Sequence, residues 1–411
     1  MRTILAILTI ACASNAQPIY DLVLKGGHVI DPKNKINKAA DVAVSAGKIA
    51  RVAANIPESE ARKLVNVAGL YVTPGLIDIH VHVYTRNVVD TGPDTALSVQ
   101  PDAFSFRSGV TTMVDAGTSG WRDFPDFRDR IISRSKTRVL AMLNIVGAGM
   151  QGGNENDPAD MGAEAAARAA KANADVVVGF KSAHYKGPGW PSIENAVKAG
   201  KLADLPVMVD FGYLNEERNI NALFLDKLRP GDIYTHCFSG HRQELLDSGK
   251  LNPAMAAGRK RGIVFDVGHG AGSFYWYVAI PAYAEGFPPD SISTDLHSGS
   301  MNAGMKDMVN VMSKFLNLGS SIGEVIQMST WNPANEIKRR ELGNLDVGAD
   351  ADIAVLRVDR GQFGFIDSAG ARNAGTQAIT CELTVRSGKV VWDLNGRASE
   401  DWKGFKYKKD F

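Results

Sequence analysis

Eight short apolar runs punctuate the middle of this chain, and helical patterns fill the gaps between them. The runs are residues 76–83, 111–116, 139–146, 176–182, 206–211, 232–238, 262–267 and 291–296. Spacers such as residues 163–174 and 304–318 carry helical patterning. Near-continuous apolar runs are what parallel strands covered on both faces require, and each parallel pair needs a crossover. The pattern predicts an α/β fold, a closed (β/α)8 TIM barrel over residues 74–340. The runner-up, an open doubly wound sheet, lacks a Gly-rich dinucleotide loop after its first strand. Gly268-His-Gly-Ala-Gly272 is glycine-rich but lies late, with no Lys-Ser/Thr after it, and is weak as a phosphate loop.

Short strands with glycine turns flank this region. Asp21-Leu-Val-Leu-Lys-Gly-Gly-His-Val-Ile-Asp31 and residues 41–52 and 63–67 read so at one end, residues 352–357 and 383–392 at the other. Ser387-Gly-Lys-Val resembles Ala46-Gly-Lys-Ile. These pieces predict one small β-sandwich domain built from residues 17–73 and 341–411.

The first sixteen residues read as an export signal: Arg2, an apolar stretch over residues 4–13, and Ser14-Asn15-Ala16 before Gln17. A buried first strand, or a lipoprotein signal at Cys12, are the weaker readings. The expectation is an exported protein, periplasmic or secreted. No later run is long and apolar enough for a transmembrane helix. The 411 residues balance 46 Lys+Arg against 45 Asp+Glu, which gives no electrostatic reason to expect nucleic acid. Cys12, Cys237 and Cys381 make no disulfide framework, and Cys237 reads as a small core residue.

In a (β/α)8 barrel the chemistry sits where the strands end. The first run, Gly75-Leu-Ile-Asp-Ile-His80-Val-His82-Val, ends with two histidines two apart, hence on one face of a strand. Burying both among Ile77, Ile79, Val81 and Val83 is costly unless their nitrogens are occupied. The fourth run ends with Lys181, the fifth with Asp210, the sixth with His236; the seventh leads into Asp266 and His269; the eighth ends with Asp295, followed by His297. Strand after strand delivers a metal-type ligand to one rim. Desolvation and nearby cations lower a lysine's pKa, and a neutral amine takes up carbon dioxide to give a carbamate, a two-oxygen anion able to bridge metals. Lys181 paired with Asp210 or Asp295, or acting as a Schiff base, stays open. His269, on a glycine-rich loop, and His297 are candidate substrate contacts. His184 lies three past Lys181, so alternation turns it away unless a loop restores it. His28 and His241 lack a comparable setting, and the Trp121-Arg122 pair reads as surface.

These motifs make the chain resemble the amidohydrolase superfamily of metal-dependent hydrolases, in its dihydroorotase- and hydantoinase-like branch. The exported amidohydrolase/deacetylase members are the most similar. The resemblance is carried by Val72-Thr-Pro-Gly-Leu-Ile-Asp-Ile-His-Val-His82, Gly109-Val-Thr-Thr-Met-Val-Asp-Ala-Gly117, Asn332-Pro-Ala334 and Val347-Gly-Ala-Asp-Ala-Asp-Ile-Ala354. It implies that His80, His82 and Asp295 hold a first metal, that carbamylated Lys181 bridges, and that His236 holds a second. Family members with this lysine usually end the fifth strand with histidine, where this chain has Asp210. A carboxylate also ligates and favours harder ions, so the implied cofactor is one or two divalent metals, Zn or Mn.

The implied activity is hydrolysis of a non-peptide C–N bond, in an amide, N-acyl or cyclic amide of a small molecule. A metal-activated hydroxide attacks, and Asp295 shuttles the proton. An ester or lactone hydrolase would use the same centre. A deaminase is less favoured, since one-metal deaminases of the superfamily lack the bridging lysine. A non-catalytic scaffold is the remaining alternative. Self-association into a homo-oligomer is left open.

Overall fold

The computed structural model describes residues 18–84, 97–152, 155–212 and 218–407. The expected export signal, Cys12 included, lies outside the described residues. Fifteen strands are formed among the described residues. The first five are β1 (Leu22–Asp31), β2 (Ile36–Ser45), β3 (Lys48–Ala53), β4 (Leu64–Asn66) and β5 (Tyr71–Pro74). The barrel strands are β6 (Leu76–Val81), β7 (Val110–Gly120), β8 (Arg138–Asn144), β9 (Val177–Ser182), β10 (Val207–Val209), β11 (Ile233–Tyr234) and β12 (Val264–Phe265). The last three are β13 (Ile353–Ile366), β14 (Arg372–Arg386) and β15 (Lys389–Asp393).

Strands β6 to β12 form a seven-stranded sheet in chain order, every pair parallel. Every residue of β6, β7 and β9 is buried, as two covered faces require. The eighth run forms no strand. It touches the sheet at both edges through single parallel bridges, Val81 to Leu296 and Asp266 to Ser291. Its polar groups face inward instead: Thr294 Oγ1 donates to Asp78 Oδ2 at 2.5 Å and Ser293 Oγ to Asp266 Oδ2 at 2.7 Å. With helices in the crossovers, the result is a TIM-like barrel.

The helical spacers are shorter than the sequence pattern suggests. One helix runs Ala163–Ala172. The other runs Met308–Asn317, because Asp307 caps it by accepting from the Asn310 N–H at 2.8 Å.

Both chain ends build one eight-stranded sheet, in the order β15-β14-β13-β5-β1-β2-β3, with β4 also paired to β1. The similar phrases at Ala46-Gly47 and Ser387-Gly388 are two hairpin turns of the same type. Both central residues of each have positive φ, at 49° and 77° in the first and 48° and 77° in the second. Leu22, Val42 and Val72 share a core with Ile353, Val355 and Leu383, so the ends fold onto one another. Where the chain re-enters this domain, Asp350 and Asp352 pair with Arg138 at the start of β8, at 2.6 and 2.5 Å. That clamp is the physical content of the Gly-Ala-Asp-Ala-Asp phrase. Cys237 and Cys381 are free and buried.

Candidate metal centre

The polar strand ends converge on one cavity of about 220 Å³. His80, His82, Lys181, Asp210, His236 and Asp295 all line it. His184, His297, Thr118, Leu97 and Met150 complete the lining. His80 sits within β6 and His82 just beyond it; both are buried. Lys181 sits in β9, and its stem is so close to Gly117 that a Cβ there would collide with it.

Three of the residues that bring the centre together have backbones in the left-handed region: His184 (φ 53°), His236 (φ 63°) and Asp295 (φ 49°). Non-glycine residues hold this conformation only where the surroundings over-determine it, and it clusters at functional sites. Gly270 faces Asp295: any Cβ there would run into the Asp295 carboxylate, so only glycine lets the seventh-run loop lie against it.

Each histidine is oriented through Nδ1, leaving Nε2 for the cavity. His80 Nδ1 lies 2.9 Å from Thr235 Oγ1, which donates to Asp266 Oδ2 at 2.7 Å. His82 Nδ1 lies 2.7 Å from Thr118 Oγ1, and the Thr118 N–H donates to Asp115 Oδ1 at 2.8 Å. His236 Nδ1 lies 2.6 Å from the Gly268 carbonyl. Such partners fix the ring and tautomer of a ligating histidine. Towards the cavity, Asp295 Oδ1 is 3.1 Å from His82 Nε2 and 3.6 Å from His80 Nε2. One ligand atom each from His80, His236 and Asp295 falls within 4.8 Å of the others. Lys181 Nζ is 3.0 Å from His80 Nε2. These donors fit a divalent ion: they are buried, convergent, and of the nitrogen and oxygen types such ions take.

The electrostatics agree. Burial lowers the His80 pKa, with Lys181 adding to the effect, and burial brings His236 down to about 4. Both rings are therefore neutral and able to ligate at ordinary pH. Burial by itself would raise the Asp295 carboxyl, but His80 and His82 outweigh it and hold it well below the usual carboxylate range. Burial lowers Lys181 against the opposing pull of Asp210 and Asp295.

Thr235→Val keeps the side-chain shape but leaves both His80 Nδ1 and Asp266 Oδ2 without the hydroxyl. Metal affinity is expected to fall by about 10–100-fold with the fold retained. Competition against a chromophoric chelator reads the shift; an unchanged affinity would assign Thr235 to packing alone.

Two of the expected site residues have protein partners of their own. Asp210 does line the cavity, but it is engaged by protein groups: one oxygen pairs with the Arg242 guanidinium, and Oδ2 lies 3.1 Å from His184 Nε2. His269 is fully buried and not part of the lining. Its ring stacks on Phe274, its Nδ1 faces the Gly270 carbonyl, and Lys314 Nζ approaches its Nε2 at 2.5 Å. His297 does reach the cavity, its ring centroid 6.2 Å from that of His82.

Arg242 and the two threonines are the site residues that sequence reasoning missed, and His184 reaches the site by the loop route rather than by strand alternation. Strand alternation stops at Ser182, where β9 ends, so it does not govern His184. Its left-handed backbone swings the ring back between Glu155 Oε2, at 2.9 Å, and Asp210. Thr235 stands beside His236 in the sequence, and a hydroxyl next to a ligand is the one signal that was there to read.

A TIM-like barrel holding a buried histidine–aspartate cluster at the carboxyl ends of its strands has the build of a metal-dependent hydrolase. The chain belongs to the amidohydrolase family, whose profile matches residues 71–229 and 277–391. A deacetylase of Agrobacterium fabrum is 32% identical over 333 residues, covering 79% of each protein. The crystal structure of an adenine deaminase superposes with a TM-score of 0.81 at 29% identity, over 91% of this chain and 100% of that one. The crystal structure of a dihydroorotase gives 0.78 at 29% identity, over 90% and 99%. The chain is thus an enzyme of the dihydroorotase-like branch that hydrolyses non-peptide C–N bonds with a metal, and the scaffold alternative is set aside.

Proposed function

We propose that this enzyme removes an acyl group from, or opens, a small amide in the cavity between His82, His297 and Lys181. The observation that carries the reading is the buried convergence of His80, His236 and Asp295 ligand atoms within 4.8 Å. His80, His82, His236 and Asp295 would hold the ion, with Lys181, as its carbamate, adding oxygen ligands. A divalent ion, Zn or Mn, supplies Lewis acidity towards the substrate carbonyl and acidifies a water molecule.

The chain's own groups do the rest. Asp295 Oδ1 faces the imidazoles, while Oδ2, against Gly270, takes the proton of the attacking water and returns it to the leaving nitrogen. His297, at the cavity wall, contacts the substrate. The small, largely buried chamber limits competing water. N-acyl substrates are favoured over cyclic ones by the deacetylase that aligns over 79% of this chain.

Three finer features belong to the same reading. The eighth run closes the barrel between β6 and β12 through its single bridges to Val81 and Asp266. The strand-rich domain, from residues 17–73 and 341–411, curls into a sandwich. Residues 1–16 direct export.

The test is amine release from a panel of N-acetyl amino acids, with dihydroorotate and hydantoin as cyclic comparators. Protein stripped with a chelator should be inactive and should recover with Zn or Mn plus bicarbonate. Turnover indifferent to stripping would overturn the reading.

A further inference from the structure

The fifth-strand position is the one place where the donor set does not suit a second ion. Asp210 follows β10, and both its oxygens are taken. Oδ1 pairs with the Arg242 guanidinium, and the two side chains are only 4% and 8% exposed. Oδ2 lies 3.1 Å from His184 Nε2 and 3.6 Å from His236 Nε2. Arg242 is itself held in place. Its N–H donates to Glu244 Oε2 at 3.0 Å and its Nη1 to Ser239 Oγ at 3.2 Å. Glu244 is fully buried and accepts from Tyr234 OH at 3.0 Å and Ser239 Oγ at 2.7 Å. The arginine is thus built into the barrel wall and cannot swing away to make room.

A fixed guanidinium and a divalent cation compete for one carboxylate, and at contact distance in a buried site they repel strongly. Meanwhile His236 Nε2 is not captured by Asp210, and His236 groups with His80 and Asp295. Formal charge supports the same division. With Lys181 as a carbamate, about three negative groups (the carbamate, Asp210 and Asp295) balance one divalent ion plus Arg242; a second ion would leave an uncompensated surplus of about two positive charges before a hydroxide is counted.

We infer that this enzyme works with a single divalent ion, held by His80, His82, His236 and Asp295, and that Arg242, locked onto Asp210, fills the charge role of a second ion. The inference rests on the metal centre proposed above. It makes Arg242 a fixed positive charge behind Asp210, which itself lines the cavity.

Two measurements test it. Metal content of the wild-type enzyme, reconstituted with Zn and bicarbonate, should be near one ion per chain. Near two overturns the inference and leaves the proposed function standing; near zero overturns the metal centre itself, and the inference with it. Asp210→His combined with Arg242→Leu removes the cation, supplies a nitrogen ligand, and should raise the content towards two. A folded double variant that stays at one overturns the role given to Arg242. Should that variant fail to fold, the electron paramagnetic resonance of Mn-loaded wild-type enzyme decides. An isolated-ion hyperfine pattern is expected, and an exchange-coupled pair contradicts it.

Discussion

Asp295→Asn is expected to cut turnover by about 10³-fold or more while the protein stays folded. Asparagine keeps the volume and one oxygen facing His82 but carries no charge and cannot hold a proton. In the wild type, burial opposes the carboxylate, and the His80 and His82 rings beside it pull its pKa the other way. The neighbouring Gly270 admits the carboxylate only by lacking a Cβ, so the pocket around Asp295 is built to its shape. Steady-state kinetics on the best N-acetyl substrate, with thermal unfolding alongside, reads the effect. Unimpaired turnover in a folded variant rules the role out.

Lys181→Ala is the second large effect, about 10²–10³-fold in activity with weakened metal binding. Lys181 is 1% exposed, and its Nζ lies 3.0 Å from His80 Nε2. A lysine kept cationic there would repel the ion; as a carbamate it attracts it. Truncation leaves a void the size of a short carboxylic acid. Added formate, acetate or propionate should therefore restore part of the activity of Lys181→Ala in a saturable way. Lys181→Arg, which cannot take up carbon dioxide and leaves no void for an acid, should stay inactive with or without added acid. No rescue by any acid, with metal binding intact, would point to an unmodified lysine.

Most of the barrel is legible in the sequence because parallel strands covered on both faces are buried throughout, as β6, β7 and β9 are, and so are dominated by apolar residues. The eighth run is the exception. Ser291-Ile-Ser-Thr-Asp295 spends its polar groups on Asp266 and Asp78, so it forms bridges in place of a regular strand. The His-x-His pair was legible for the same reason the strand was: period two puts both rings on one face. Partners set by loop conformation were less so. His184 is placed by loop backbone in a left-handed conformation, and no periodicity describes such a turn. Arg242 comes from the loop after the sixth run, and its partner Asp210 lies 32 positions earlier, so nothing local announces the pair. His269 illustrates the reverse case. A glycine-rich loop at the rim suggested a substrate contact, yet Lys314, arriving from a distant helix, turns the ring into the core.

The measurement that tests the central claim most directly is a calorimetric titration of Zn into stripped protein, wild type against the His80→Ala/His82→Ala double variant. Tight binding in the wild type, lost in the folded double variant, is the expected result. Binding of equal strength in both, or none in the wild type with bicarbonate present, would contradict a metal centre at the ends of these strands.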